Sequence, residues 1–215
     1  DINLLELKGR IEFLEGNYQK ALPLLRQVHV NKSSEQVLLE LITVMQNLGQ
    51  KKEALTLVSN ATTSKPSLKL QLKKAELYSE TQPKRAIGIY EDIIQKTSGH
   101  YVLQNNLAWL YLAINENDKA LQSVQGALES APDESAVLDT YGVVLLALKD
   151  NATSLKVLKE VVKSEPKKVS YQVHYIQALI ANNLQSEARQ LLSEINEQEL
   201  TGNALTRFLS IKATL

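Results

Sequence analysis

Three histidines, His29, His100 and His174, are the side chains of this chain best suited to proton transfer or metal ligation. A metal pair on one helix needs ligands three or four residues apart, and no two of the three stand so. They read as surface or inter-helix residues. The chain has no cysteine, which removes disulfides, thiolate catalysis and zinc–thiolate centres. It has no glycine-rich phosphate loop and no Gly-x-Ser-x-Gly elbow. The acidic neighbours Glu91-Asp92 and Asp133-Glu134 fall where helix surfaces and ends carry charge. The second pair precedes a helix, where a carboxylate meets the positive end of the helix dipole. Asn-x-Ser/Thr triplets begin at Asn31, Asn60 and Asn151, no more than composition alone produces. Hydrolytic, redox and metal chemistry all lack a local motif. The chain therefore reads as non-catalytic, with no cofactor and no metal site, unless distant segments assemble one.

Charge points the same way. Lys plus Arg number 24 and Asp plus Glu number 24, for a formal net charge of zero. A nucleic-acid binder carries a basic excess, and the pairs Lys51-Lys52, Lys73-Lys74 and Lys167-Lys168 are dispersed along the chain. No run of 18 apolar residues occurs, so nothing in this chain reads as a membrane span. The chain opens on Asp1-Ile2, directly into a helical pattern, which reads as a fragment or processed product. A signal peptide or lipid anchor upstream would not be visible in it.

The elements that position these residues repeat. A small residue returns at Ala21, Ala54, Ala86, Ala120, Ser154 and Ala188, at intervals of 33, 32, 34, 34 and 34. Nine residues before it stand Glu12, Met45, Leu77, Tyr111, Leu145 and Leu179; four after it come Leu25, Val58, Tyr90, Val124, Leu158 and Leu192. Apolar residues recur at spacings of three and four in both halves of each unit, the signature of two helices. Turns such as Glu15-Gly16-Asn17, Leu48-Gly49-Gln50, Asn115-Glu116-Asn117 and Lys149-Asp150-Asn151 separate the halves. Pro66, Pro132 and Pro166 close three units, since the residue before proline avoids the helical region. Pro23 lies inside a second helix and is expected to distort it. The small column has a steric reason: a larger side chain would push two closely crossing helices apart. Ser154 reads as a tolerable departure.

The 34-residue helix-turn-helix pattern resembles the tetratricopeptide repeat. Residues 101–134 match it best, through Leu107-Ala108, Tyr111, Ala120, Ala127-Leu128 and Pro132. The resemblance implies an all-α, right-handed superhelical solenoid in one array. Its six units would span 2–34, 35–66, 67–100, 101–134, 135–168 and 169–197. Residues 198–213 form one more amphipathic helix, which either caps the sixth unit or begins a further repeat. In this family the first helix of each unit lines a concave binding face. Carried over by alignment, that face would hold Tyr78, Asn105, Trp109 and Asp139, with Gln177 further along and Arg10 as its one basic residue. Members that clamp the carboxylate of chaperone tails need several positive donors there, so that role is not expected. Asn105, one turn before the only tryptophan, can bond a peptide backbone as donor and acceptor.

A narrower likeness runs through Asn105-Asn106-Leu107-Ala108-Trp109-Leu110-Tyr111, Ala131-Pro132-Asp133 and Val137-Leu138-Asp139-Thr140-Tyr141-Gly142. It is similar to the C-terminal region of PrsT-type tetratricopeptide lipoproteins of bacterial exosortase and exopolysaccharide systems. That resemblance implies export to the periplasm or outer membrane, with a lipid anchor upstream. The expected function is a non-catalytic scaffold for a protein or extended peptide, with no nucleic acid and no membrane insertion by this segment. The alternatives are a cytoplasmic adaptor and a regulatory domain of a larger enzyme. Oligomeric state stays open.

Overall fold

Helices begin where a short polar side chain can hold a free backbone N–H. In the computed structural model Asp1, Ser34, Ser67 and Asp150 accept from the amides of Asn3, Val37, Leu70 and Thr153. The structure describes residues 1–32, 34–97, 100–200 and 202–214, and among them it is all-α, without a strand. The Ser98-Gly99 stretch that would close the third unit lies outside the described residues.

The helices come in pairs: α1 (Ile2–Leu14) with α2 (Tyr18–Asn31), α3 (Glu35–Asn47) with α4 (Lys51–Ser64), and α5 (Leu68–Ser79) with α6 (Pro83–Lys96). Then follow α7 (Tyr101–Ala113) with α8 (Asn117–Ser130), α9 (Ser135–Ala147) with α10 (Asn151–Ser164), and α11 (Val169–Ala181) with α12 (Gln185–Glu194). A 3-10 turn, Glu197–Glu199, leads to α13 (Gly202–Thr214). All six residues of the small column are 0 % exposed. The helices divide into two compact units, residues 1–93 and 94–215.

The turn inside a pair is made the same way five times. The N–H of Asn17, Gln50, Glu116, Asp150 and Leu184 reaches back to the carbonyl of Glu12, Met45, Tyr111, Leu145 and Leu179, at 2.8 to 3.0 Å. This six-to-one bond needs a left-handed residue just before it. Gly16, Gly49, Asn115, Lys149 and Asn183 supply it, with φ between 61° and 75°. The third pair departs from the pattern. There Gln82 N–H returns to Tyr78 O at 2.7 Å, and Pro83 opens α6, where a missing N–H costs no helical bond.

In the first unit Leu25, Leu41, Ile42, Val44 and Val58 form the centre of the core. The helix α2 is continuous through Pro23. Pro23 is exposed, so the carbonyl that loses its helical donor faces water. Leu4 and Ile11 of α1 are 51 % and 45 % exposed, yet Val37 and Val44, the same columns in α3, are both 0 %. The helix α3 lies against the pair before it, and α1 has no such pair among the described residues.

In the second unit α9 and α10 cross closely at Gly142. A Cβ there would lie 2.5 Å from Leu158 Cγ. Ser154, on the same crossing, donates its hydroxyl to Gly142 O at 2.7 Å. Side-chain amides tie neighbouring pairs: Asn117 Nδ2 donates to Ala147 O at 3.3 Å and Asn151 Nδ2 to Ala181 O at 3.0 Å. The helix α13 buries Phe208 and Ile211 against the core of Val173, Ile176 and Leu179.

Candidate functional site

Spacing by about thirty residues places side chains of successive first helices side by side. In the first unit this spends the charge of Arg10. Its Nε donates to Glu40 Oε1 at 3.0 Å, and Gln36 Nε2 donates to the same oxygen at 2.7 Å. Tyr78 of α5 is half-buried, with the Arg85 guanidinium 5.6 Å from its ring centroid and Arg85 Nη1 3.5 Å from its hydroxyl.

The second unit gathers a denser cluster from α7, α9, α11 and α13. Asp139 is 4 % exposed, and both its oxygens take the Nδ1 of His174, at 2.8 and 2.9 Å. An ionised carboxylate only accepts, so Nδ1 carries the proton in this contact. The His174 ring lies 5.6 Å from that of Trp109, tilted by 35°. The Arg207 guanidinium sits 5.2 Å from the Trp109 ring centroid, and its Nη1 donates to Gln177 Oε1 at 3.4 Å. Burial pulls the Arg207 guanidinium below its ordinary value, while the charge of Asp139 holds it up. Trp109 itself is half-buried. Asn105, one turn earlier on α7, keeps a buried Oδ1 with no hydrogen-bond donor. Beyond the cluster, Lys168 Nζ donates to Tyr171 OH at 3.0 Å and lies 4.4 Å from the ring centroid.

Three of the four residues assigned to the face from sequence, Asn105, Trp109 and Asp139, thus fall in one unit. Trp109 and Asp139 meet through His174. Tyr78 belongs to the other unit. Among the described residues no three His, Cys, Asp or Glu side chains gather as metal ligands, and no helix is long and apolar enough to cross a membrane.

Residues 77–141 match the model of the tetratricopeptide repeat family. A tetratricopeptide repeat protein from Parabacteroides merdae ATCC 43184 superposes with a TM-score of 0.82 at 14% identity, over 99% of this chain and 86% of that one. The fold is that of a tetratricopeptide repeat protein. MamA from Desulfovibrio magneticus RS-1 gives a TM-score of 0.68 at 18% identity, over 78% of this chain and 96% of its own. A thermophilic tetratricopeptide protein of Thermus thermophilus gives 0.64 at 19%, over 84% and 100%. At such identities the likeness is one of fold. No curated protein sequence matches the chain.

Within the tetratricopeptide frame, two members of the cluster escape a sequence reading. His174 stands 35 residues beyond Asp139, close to one repeat period, and that offset was the available signal. Arg207 stands 30 beyond Gln177, as Glu40 does beyond Arg10. Of the two readings of 198–213, the one that begins a further repeat places Arg207 at the site.

Proposed function

We propose that this chain is a non-catalytic protein-binding scaffold whose contact surface is the first-helix face of residues 94–215, centred on Trp109. The tetratricopeptide fold is typical of protein-interaction scaffolds. The observation that carries the reading is Trp109 itself: a half-buried indole with a cationic neighbour. A large, partly desolvated aromatic is the make-up of a binding hot spot. An extended segment would cover the indole.

The setting we propose is the bacterial envelope, in exopolysaccharide export, with a lipid anchor upstream. It is supported by the resemblance of residues 105–195 to PrsT-type lipoproteins. Fractionation of cells producing the full-length protein tests this; recovery in the cytoplasm would overturn it.

The binding face is tested by partner capture followed by titration. Replacing Trp109 with Ala should weaken binding by about 2 kcal/mol or more, roughly thirtyfold. Unchanged affinity in a variant with wild-type circular dichroism would sink the assignment.

A further inference from the structure

We infer that the surface formed by Trp109 and Gln177, with the buried Asp139 carboxylate beneath it, is a receptor for an arginine side chain, occupied in the free protein by Arg207 of the chain's own α13. This rests on the binding face argued above and names the chemistry that a partner must bring to it. The partner places an arginine where Arg207 now lies, and α13 is the internal competitor.

The three groups suit a guanidinium in different ways. An indole is the best aromatic face for a cation, and arginine uses such faces more often than lysine. The 5.2 Å separation of Arg207 from the ring centroid is inside the range where that attraction acts. Asp139 supplies the opposite charge from a position 4 % exposed, where water screens it little. The proton on His174 Nδ1 holds both its oxygens in place, and the carboxylate acts on the guanidinium through its charge. Gln177 Oε1 accepts from the fork. A lysine ammonium, compact and strongly hydrated, would lose more on entering such a site and could not stack.

Arg207 fills the site without satisfying it. Of five guanidinium N–H donors, the described residues give it one hydrogen bond, at 3.4 Å, near the long limit. Its helix is anchored by Phe208 and Ile211, whose side chains pack into the core. Arg207 can therefore leave the indole while α13 stays in place. A half-buried guanidinium so poorly bonded is a weak occupant, one that a better-bonded arginine displaces.

The chain has a single tryptophan, so its fluorescence reports this site alone. The experiment compares wild type with Arg207→Ala, each titrated with L-arginine amide and, as control, L-lysine amide. The variant should differ from wild type in emission. Arginine amide should bind it saturably and return the emission toward wild type, at least tenfold more tightly than it binds wild type. Adding Asp139→Asn should abolish the response. If circular dichroism shows that Arg207→Ala does not fold, Arg207→Gln keeps most of the stem without the guanidinium and takes its place. The inference is overturned if neither variant responds, if wild type responds equally, or if lysine amide does as well. Such a failure leaves binding at Trp109 standing, because that reading is judged by partner capture and the Trp109 variant.

Discussion

Ser154 stands where five other units keep alanine, and its hydroxyl meets Gly142 O at 2.7 Å inside the crossing of α9 and α10. The crossing is close because Gly142 has no side chain, and Leu158, 0 % exposed, fills the space. Gly88, in the middle of α6, has no such reason: a Cβ there meets nothing within 4 Å. The same substitution should therefore act with opposite sign at the two positions. Gly142→Ala should destabilise by about 1–3 kcal/mol, since a buried leucine must move. Gly88→Ala should stabilise by about 1 kcal/mol through helix propensity. Denaturant unfolding of both variants measures this; equal effects would mean that α9 and α10 can slide apart freely.

At the scale of elements, the turn between first and second helix is the most regular feature of the molecule. Four of its five left-handed positions hold Gly or Asn, and the fifth holds Lys149 at φ 68°. A lysine there carries the steric cost of a Cβ against its own carbonyl. Lys149 is exposed, so little contact is lost with its side chain. Lys149→Gly should raise stability by about 0.5–1 kcal/mol, the steric relief exceeding the entropy that glycine loses. A fall in the denaturation midpoint would show that the turn is held from elsewhere.

For the whole molecule, charge is balanced, and acid–base behaviour is governed by local pairs. The Lys168 ammonium is raised above its ordinary 10.5 chiefly by its hydrogen bond to Tyr171. The Tyr171 hydroxyl is raised above 10.0 chiefly by burial, and Tyr175 likewise. Both signs agree. A lysine raised on folding contributes stability that is present below its unfolded value and lost as pH climbs past it. A tyrosine raised on folding stays protonated while the unfolded chain ionises, so stability again falls with rising pH. The melting temperature should therefore drop from about pH 10 upward. The drop should be shallower in Tyr171→Phe, which removes one titrating group and the acceptor of the other. Thermal melts over that interval decide it, and an identical slope in the variant would refute the assignment.

How much was legible in the sequence follows from how local each feature is. The helix pairs, the buried small column, the left-handed turns and the non-helical residues before Pro66, Pro132 and Pro166 all rest on contacts within one repeat. Periodicity records such contacts directly. Pro23 was expected to distort α2; the helix continues through it, with the proline exposed. The candidate site was half legible. Asn105, Trp109 and Asp139 could be placed on a common face because a repeat carries each position to its neighbour. Whether Asp139 is presented to a partner or held by His174 depends on a pair 35 residues apart. Arg207 over Trp109 depends on where α13 docks after the last full repeat. Contacts between neighbouring repeats share an offset near one period, but many residue pairs have that offset, and only the packing of helices from different repeats selects the ones that touch.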